Sequence, residues 1–377
     1  MSMGVIAKMA EVVLVFEEAL DRRAFDIFNL FRLRGFTYQF AFSEDSIVQR
    51  NLYPGSISYE HSVAGLKKLL SSHPNKFFIY IPLLEESLDW FYQVKGEFGD
   101  RLKYLLPTQQ QFSILRDKSL LSMWASQFHC VPEPFSYEML CEEAFWIEGR
   151  CVMAKPSCGR GSRGLRVLHS AEEARAFHCN ESYVYQSFIG DGKSVIGVSV
   201  LSVDGKVLAS YQHRRIRTYP ESGGVSTCAE LCYETSLDKL VTTMLQEMKV
   251  SGLLMFEFLR DNQGQWKLIE CNPRLWGTVA LGEFAGYSLL EKYIAFCTDT
   301  EVISHSILTD TKIRWMFPYE YLWVIKGGIT RLNSLYPKAN EFQVGFTGAG
   351  MRFVLYIFFS LFDLKKWKTF LRKFRQQ

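Results

Sequence analysis

Excess charge of one sign, long apolar runs and metal-type cysteine spacing are all scarce in this chain, and each absence excludes something. With 43 Lys and Arg against 40 Asp and Glu, the net charge is only +3, too small and too dispersed to argue for a nucleic-acid surface. Basic residues gather only near the C-terminus. Nine cysteines are an odd number with no C-x-x-C spacing and no neighbouring histidine pair, so no zinc site is expected. Free thiols in a reducing compartment are expected instead. The first residues, MSMGVIAKMAEVVLVF, are interrupted by Lys8 and Glu11, so neither a signal peptide nor a transmembrane helix is predicted, and the protein is expected to be cytoplasmic.

What is present is an ordinary globular composition. The chain has 377 residues, 48% apolar and 22% charged, enough for two or three structural domains with a substantial core. Residues 11–16 read as a buried strand; Ala24, Ile27, Phe28 and Phe31 keep helical spacing up to Gly35; Phe36 to Phe42 alternate as a second strand. A helix around Ala64–Leu70 and a strand at Phe77–Ile81 complete a strand-helix alternation over residues 1–112, which predicts a Rossmann-like α/β unit. Its first turn, FEEALDRRA, has no glycine and carries acids, so a dinucleotide site there is not expected. A helical stretch follows from Thr108 to Ser126, with Asp117 a cap for a helix starting at Lys118. The extended VPEP segment, 131–134, marks entry to a new subdomain.

Two further stretches carry chemistry. Residues 152–155 read as a short strand, followed by PSCGRGSRG and a second strand at 165–168; Gly159, Gly161 and Gly164 spell G-x-G-x-x-G. No helix begins at this loop, which excludes a dinucleotide fingerprint. The lysine precedes the loop and neither H-R-D nor D-F-G follows, which excludes a protein kinase. Such a loop either presents backbone N–H groups to phosphate, with Lys155, Arg160 and Arg163 adding charge, or is a plain glycine-rich hairpin. The stretch LLMFEFLRDNQGQWKLIECNPR, 253–274, reads as a β-hairpin with Glu257 and Glu270 where a core strand would carry Val or Ile. If its connection holds an even number of residues, Glu257, Glu270 and Asn272 share one face and suit Mg2+. Otherwise each acid belongs to an ordinary ion-pair network. Alternation along 207–217 places His213, Arg215 and Arg217 in one row, which serves either an anionic substrate or a solvated edge. Cys271, between two of these candidate ligands, is expected to be a small apolar filler.

KPSCGRGSRG, then YQSFIGDG, then FEF followed by IECNPR, in that order, resembles the ATP-grasp superfamily over roughly residues 112–297. R-x-Y-P-x-x-G-G before the hairpin and NPRLWG after it resemble its carboxylate-amine ligase and carbamoyl-phosphate-synthase-like branch. The resemblance implies an α/β plus α+β architecture: a Rossmann-like N-terminal domain (1–112), an ATP-grasp domain (113–305) with a glycine-rich lid subdomain (about 128–184), and a C-terminal segment (306–377). It implies ATP with Mg2+ or Mn2+ as cofactors. By the same resemblance Lys118 and Lys155 contact ATP phosphates beneath the lid residues Gly159, Gly161, Ser162 and Gly164; Gln186, Ser187, Phe188 and Ile189 form the adenine hinge; Ser194 stands at the ribose position; Glu257, Glu270 and Asn272 bind metal; and Arg274 steadies phosphate or acyl phosphate. Gln186 departs from the Glu that commonly opens the hinge, and Ser194 from the usual charged or His residue.

The activity implied is ADP-forming ligation of a carboxylate to an amine through an acyl phosphate. Arg274, Lys155, Arg215 and Arg217 are the candidate catalytic side chains, with Arg274, Arg215 and Arg217 the candidates to hold the acceptor carboxylate. A nucleotide-binding regulatory module and a small-molecule kinase are the alternatives. No biotin-carrier segment is visible, so a self-contained carboxylase is not expected. The partners expected are small molecules and no nucleic acid, with a homodimer left open. Phe353–Phe362 is apolar and is followed by a basic, aromatic stretch from Lys365 to Arg375. This helix either packs on its own domain with its lysines outward or lies on an anionic membrane surface.

Overall fold

The computed structural model describes residues 11–43, 47–159, 164–177, 182–190, 195–219, 225–302, 305–336, 338, 340–344 and 350–362. The first sheet is parallel and built from β1 (Val12–Phe16), β2 (Gln39–Phe42), β3 (Ile57–Ser58), β4 (Phe77–Tyr80) and β5 (Leu102–Lys103), in the order β3-β2-β1-β4-β5. β1, VVLVF, is buried along its whole length, as a strand covered on both faces must be. Leu14, Phe16, Phe40 and Phe42 pack with Phe25 and Phe28 of the helix Arg22–Leu33, while Val13, Val15 and Phe78 pack with Leu66, Leu69 and Phe91 on the other side. The helix ends follow local chemistry: Asp21 accepts from Arg23 N, and Ser62 from Gly65 N.

The Thr108–Ser126 stretch is two helices, Gln109–Arg116 and Lys118–Ala125, broken at Asp117. Thr108 and Gln111 form a reciprocal cap on the first. Asp117 Oδ1 accepts from Ser119 N (2.8 Å) and Leu120 N (3.1 Å) at the start of the second. A small antiparallel sheet follows, with β6 (Pro134–Phe135), β7 (Val152–Pro156), β8 (Arg166–Leu168) and β9 (Tyr183–Ser187) in the order β6-β9-β7-β8. It has its own core of Leu140, Trp146, Val152, Ala154 and Leu168.

The large sheet has seven strands, β10 (Ile196–Val203), β11 (Lys206–Tyr219), β12 (Val225–Cys232), β13 (Gly252–Arg260), β14 (Trp266–Asn272), β15 (Lys312–Trp315) and β16 (Glu341–Val344), in the order β14-β13-β10-β11-β12-β15-β16. All pairs are antiparallel except β15 with β16. One face presents Leu201, Tyr211, Leu253 and Met255 to the core it shares with the parallel sheet. The other presents Val198, Val200, Leu254 and Phe256 to Leu121, Leu237, Val241 and Leu245.

The row expected of His213, Arg215 and Arg217 is broken. β11 pairs with β12 as Arg215↔Ala229 and then Arg217↔Cys228, with a bulge between. Ala229 and Cys228 are neighbours on one strand and face opposite sides, so their partners do too. Arg215 stays on the face of Glu257, which it meets through Gly197 and His213 across the ladder. Arg217 is turned to the other face.

Near the C-terminus the helix Met351–Phe362 buries Phe353 and Tyr356 in the main core, Tyr356 stacking on Phe25 at 4.5 Å. The basic stretch 365–375 lies outside the described residues. Among the described residues no helix is long and apolar enough to cross a membrane.

Candidate active site

The hairpin β13–β14 sets Glu257 directly opposite Glu270, and Met255 opposite Asn272. Counting from the turn, this pairing should not occur. Arg260 pairs with Trp266, which leaves an odd connection, residues 261–265, and Phe258 then pairs with Leu268. Continued without interruption, that register would set Glu257 against Ile269 and put the two acids on opposite faces. A bulge between Glu257 and Phe258 takes up Ile269 as the extra residue and brings Glu257, Glu270 and Asn272 to one face. The even-loop condition is therefore not met, and the bulge supplies the missing residue.

The acids sit in unlike surroundings. Glu257 is buried and accepts a hydrogen bond from Arg215. Burial, with Glu270 adding like charge, pushes its carboxyl up to about 7 against the pull of Arg215. Glu270 is more open, with a side chain 30% exposed. Its desolvation is outweighed by Lys118, Arg215, a hydrogen bond from Asn272 and Lys155, which together hold its carboxyl below the usual range. Asn272 Nδ2 donates to Glu270 Oε1 at 3.2 Å. Lys118 Nζ stands 4.0 Å from Glu270 Oε2 and donates to the Gly159 carbonyl at 3.1 Å. Lys155 Nζ donates to the carbonyl of the bulge residue Ile269 at 3.0 Å. Burial, and then the charge of Lys118, push the Lys155 ammonium down to about 8.

Four strands, β7, β11, β13 and β14, one helix start and one loop thus converge. Lys118 N donates to the Ser157 carbonyl at 2.8 Å, tying the helix start to the strand that carries Lys155. Gly159 has φ 142° and Gly164 φ 74°, both in the region that favours glycine. A Cβ on Gly164 would lie 2.9 Å from Pro156 Cγ and from Tyr183 Oη. Gly161, Ser162 and Ser194 lie outside the described residues.

In the segment expected to form the hinge, Gln186 is buried; its Nε2 donates to Ser122 Oγ at 2.9 Å, while its buried Oε1 has no hydrogen-bond partner among the described residues. Ser187 N donates to the Glu133 carbonyl (2.8 Å) and Phe188 N to that of Cys151 (2.9 Å). Ile189 packs with Val195, Leu259 and Ile269, so this segment touches the bulge. Arg274 is buried and donates to Glu85 Oε1 (3.2 Å) and to the Leu275 carbonyl (3.1 Å). Cys271 is buried with Phe256 and Leu268, and burial raises its thiol well above the usual value, as an apolar filler requires.

Arg217 does not join this group. It donates to both oxygens of Glu320 (2.9 and 2.8 Å) and lies 4.2 Å above the Trp323 ring. Glu85 and Arg23 were missed in sequence because they sit in the N-terminal unit. Arg23 donates to the carbonyls of Leu83 and Leu275, so that unit is pinned to the segment after Asn272. His213, buried and neutral with its ring pushed down to about 3 by burial and Arg215, hydrogen-bonds Thr278 Oγ1 at 3.0 Å.

Solved structures share this architecture. The biotin carboxylase domain dimer of Hydrogenobacter thermophilus 2-oxoglutarate carboxylase, in complex with MgADP, ADP and bicarbonate, superposes with a TM-score of 0.60 at 16% identity, over 80% of this chain and 73% of that one. Biotin carboxylase of Campylobacter jejuni gives 0.59 at 17%, over 80% and 74%. N5-carboxyaminoimidazole synthetase of Staphylococcus aureus gives 0.58 at 11%, over 85% and 86%. The chain has the ATP-grasp fold. No protein-family model matches the chain, and no curated protein does. At such identities the likeness is one of fold.

Proposed function

We propose that the protein is an ATP-dependent, ADP-forming ligase that joins a carboxylate to an amine. The observation that carries this reading is the bulge-enforced pairing of Glu257 with Glu270 beside Lys118 and Lys155. Two facing acids destabilise a ladder unless positive charge lies between them. Here two lysines and an arginine already adjoin the pair.

The donor set fits Mg2+. It is all oxygen, from two carboxylates and the Asn272 amide. Among the described residues no group of three or more His, Cys, Asp or Glu could hold a metal by itself. Such a site therefore relies on water and substrate phosphate for the rest of its shell, as Mg2+ sites commonly do. When bound, the ion supplies neutralisation of charge on the transferred phosphoryl group.

In this reading the nucleotide lies between the four-stranded sheet that carries Lys155 and the β13–β14 hairpin. Lys118, Lys155 and the backbone N–H groups of Gly159, Gly161, Ser162 and Gly164 hold its phosphates, the chain from Gln186 to Ile189 borders the base, and Ser194 the ribose. A carboxylate oxygen attacks the γ-phosphorus and ADP leaves. The amine then attacks the acyl carbon of the acyl phosphate, and phosphate leaves as the nitrogen loses a proton. Arg274 and Arg215 orient the anionic acceptor; Arg217, on the far face, takes no part. Residues 1–112 form the preceding domain, 113–305 the catalytic one with its lid at about 128–184, and 306–377 a C-terminal segment. The same proposal includes a homodimer, a state printed for the Hydrogenobacter neighbour.

The test is ADP release measured across panels of carboxylic acids and amines. Glu270→Gln and Lys155→Ala should each lower it by about 100-fold or more while circular dichroism shows the fold retained. Turnover unchanged in both variants would refute the reading, and release with an alcohol alone would make the protein a kinase.

A further inference from the structure

Charge is not spread evenly along the chain. Residues 321–377 hold 10 of its 43 Lys and Arg but only 2 of its 40 Asp and Glu, Glu341 and Asp363. That segment carries +8, and residues 1–320 carry −5. Such asymmetry in a chain whose net charge is only +3 points to an anionic partner for the segment.

The described part of the segment also exposes apolar side chains. In the helix Tyr321–Gly327 and the 310 helix Gly328–Leu335 that follows it, Ile325, Ile329, Leu332 and Tyr336 are exposed, Ile329 by 87% and Tyr336 by 74%. Ile329 and Leu332 are one 310 turn apart and share a face. No acidic residue lies between positions 321 and 340. The helix Met351–Phe362 has the same character: Phe353 and Tyr356 are buried, while Met351 and Val354 are exposed, and apart from Arg352 and Ser360 all its residues are apolar. A helix apolar all round is covered on every side or lies in a membrane environment. At 12 residues this one is too short to span a bilayer and has a length suited to its interface. Both helical segments rest on one core, through Tyr321 and Leu335 in the first and Phe353 and Tyr356 in the second. In the sequence that follows, Trp367, Phe370, Leu371 and Phe374 keep helical spacing among six Lys and Arg, the pattern of an interfacial amphipathic segment.

We propose that these two helical segments, with the basic residues of 365–375, form a docking surface for an anionic phospholipid bilayer. Ile325, Ile329, Leu332, Tyr336, Met351 and Val354 enter the headgroup boundary, and the Lys and Arg face its negative charge. A second copy of the chain would set +8 against +8, and a nucleic acid would leave the apolar side chains in water. A lipid surface accommodates both features.

Co-sedimentation of the full chain with vesicles of phosphatidylcholine alone, and of phosphatidylcholine and phosphatidylserine in equal parts, tests it. Binding to the anionic vesicles should be tighter by about tenfold or more and should weaken in high salt. Ile329→Ser/Tyr336→Ser and, separately, Lys365→Gln/Lys366→Gln/Lys368→Gln should each weaken it by about tenfold or more with circular dichroism unchanged. Glu270→Gln should bind vesicles as wild type does, since the acid pair takes no part. Equal binding to both kinds of vesicle, or to neither, would overturn the docking surface. So would loss of binding in the lysine variant alone, because the exposed apolar side chains would then contribute nothing. A shift of the double serine variant to a smaller species in sedimentation velocity, with vesicle binding intact, would give the face to a second copy and overturn it too.

Discussion

Glu257 and Glu270 face each other only because Ile269 is an extra residue in β14. Deleting Ile269 should remove the bulge and leave Glu257 opposite Glu270 in a plain register, so MgADP affinity and ADP release should stay within about tenfold of the parent. Calorimetry with MgADP and circular dichroism on the same sample would check this. Loss of MgADP affinity in a folded deletion variant would show that facing acids alone do not make the site.

Glu17, at the end of β1, gives a pH prediction. Burial pushes its carboxyl up to about 7, against the pull of the Tyr80 hydroxyl and the Leu83 N–H. Because its folded value lies above the ordinary carboxyl value of 4.5, its contribution is full below the unfolded value and is lost as pH rises through about 7. Glu17→Gln should therefore be near neutral at pH 4.5 and stabilise by on the order of 3 kcal/mol at pH 8. Urea unfolding at the two pH values measures it; an equal effect at both would mean burial does not govern this group.

The Arg274–Glu85 pair joins the hairpin to the N-terminal unit across 189 residues of sequence. A double-mutant cycle with Arg274→Met and Glu85→Gln should return a coupling of about 1–3 kcal/mol. Additive single effects would show that the contact contributes nothing to holding the two units together.

Tyr356 ties the C-terminal helix to the core by stacking on Phe25. Tyr356→Ala should cost about 3–5 kcal/mol, as for other large aromatic truncations, read as a drop in the denaturation midpoint. A loss under about 0.5 kcal/mol, the range of surface substitutions, would show that the helix is not part of the core.

How much could be read before folding follows from distance along the chain. Caps act over three residues and strand alternation over two, so Asp117 and Lys118 were legible, as was the acid-bearing hairpin. The motif order pointed to the ATP-grasp fold. The row of Arg215 and Arg217 was misjudged because alternation holds only inside one register, and a bulge is invisible until its partner strand is known.

Local chemistry therefore determined by itself which segments are strands, which are capped helices, and that Glu257, Glu270, Lys118 and Lys155 are set in or beside them. Strand pairing alone decided that the two acids meet, that Arg217 turns to the other face, and that Glu85 reaches Arg274. The reason is that a register is a property of two strands together, and one inserted residue reverses every side chain beyond it.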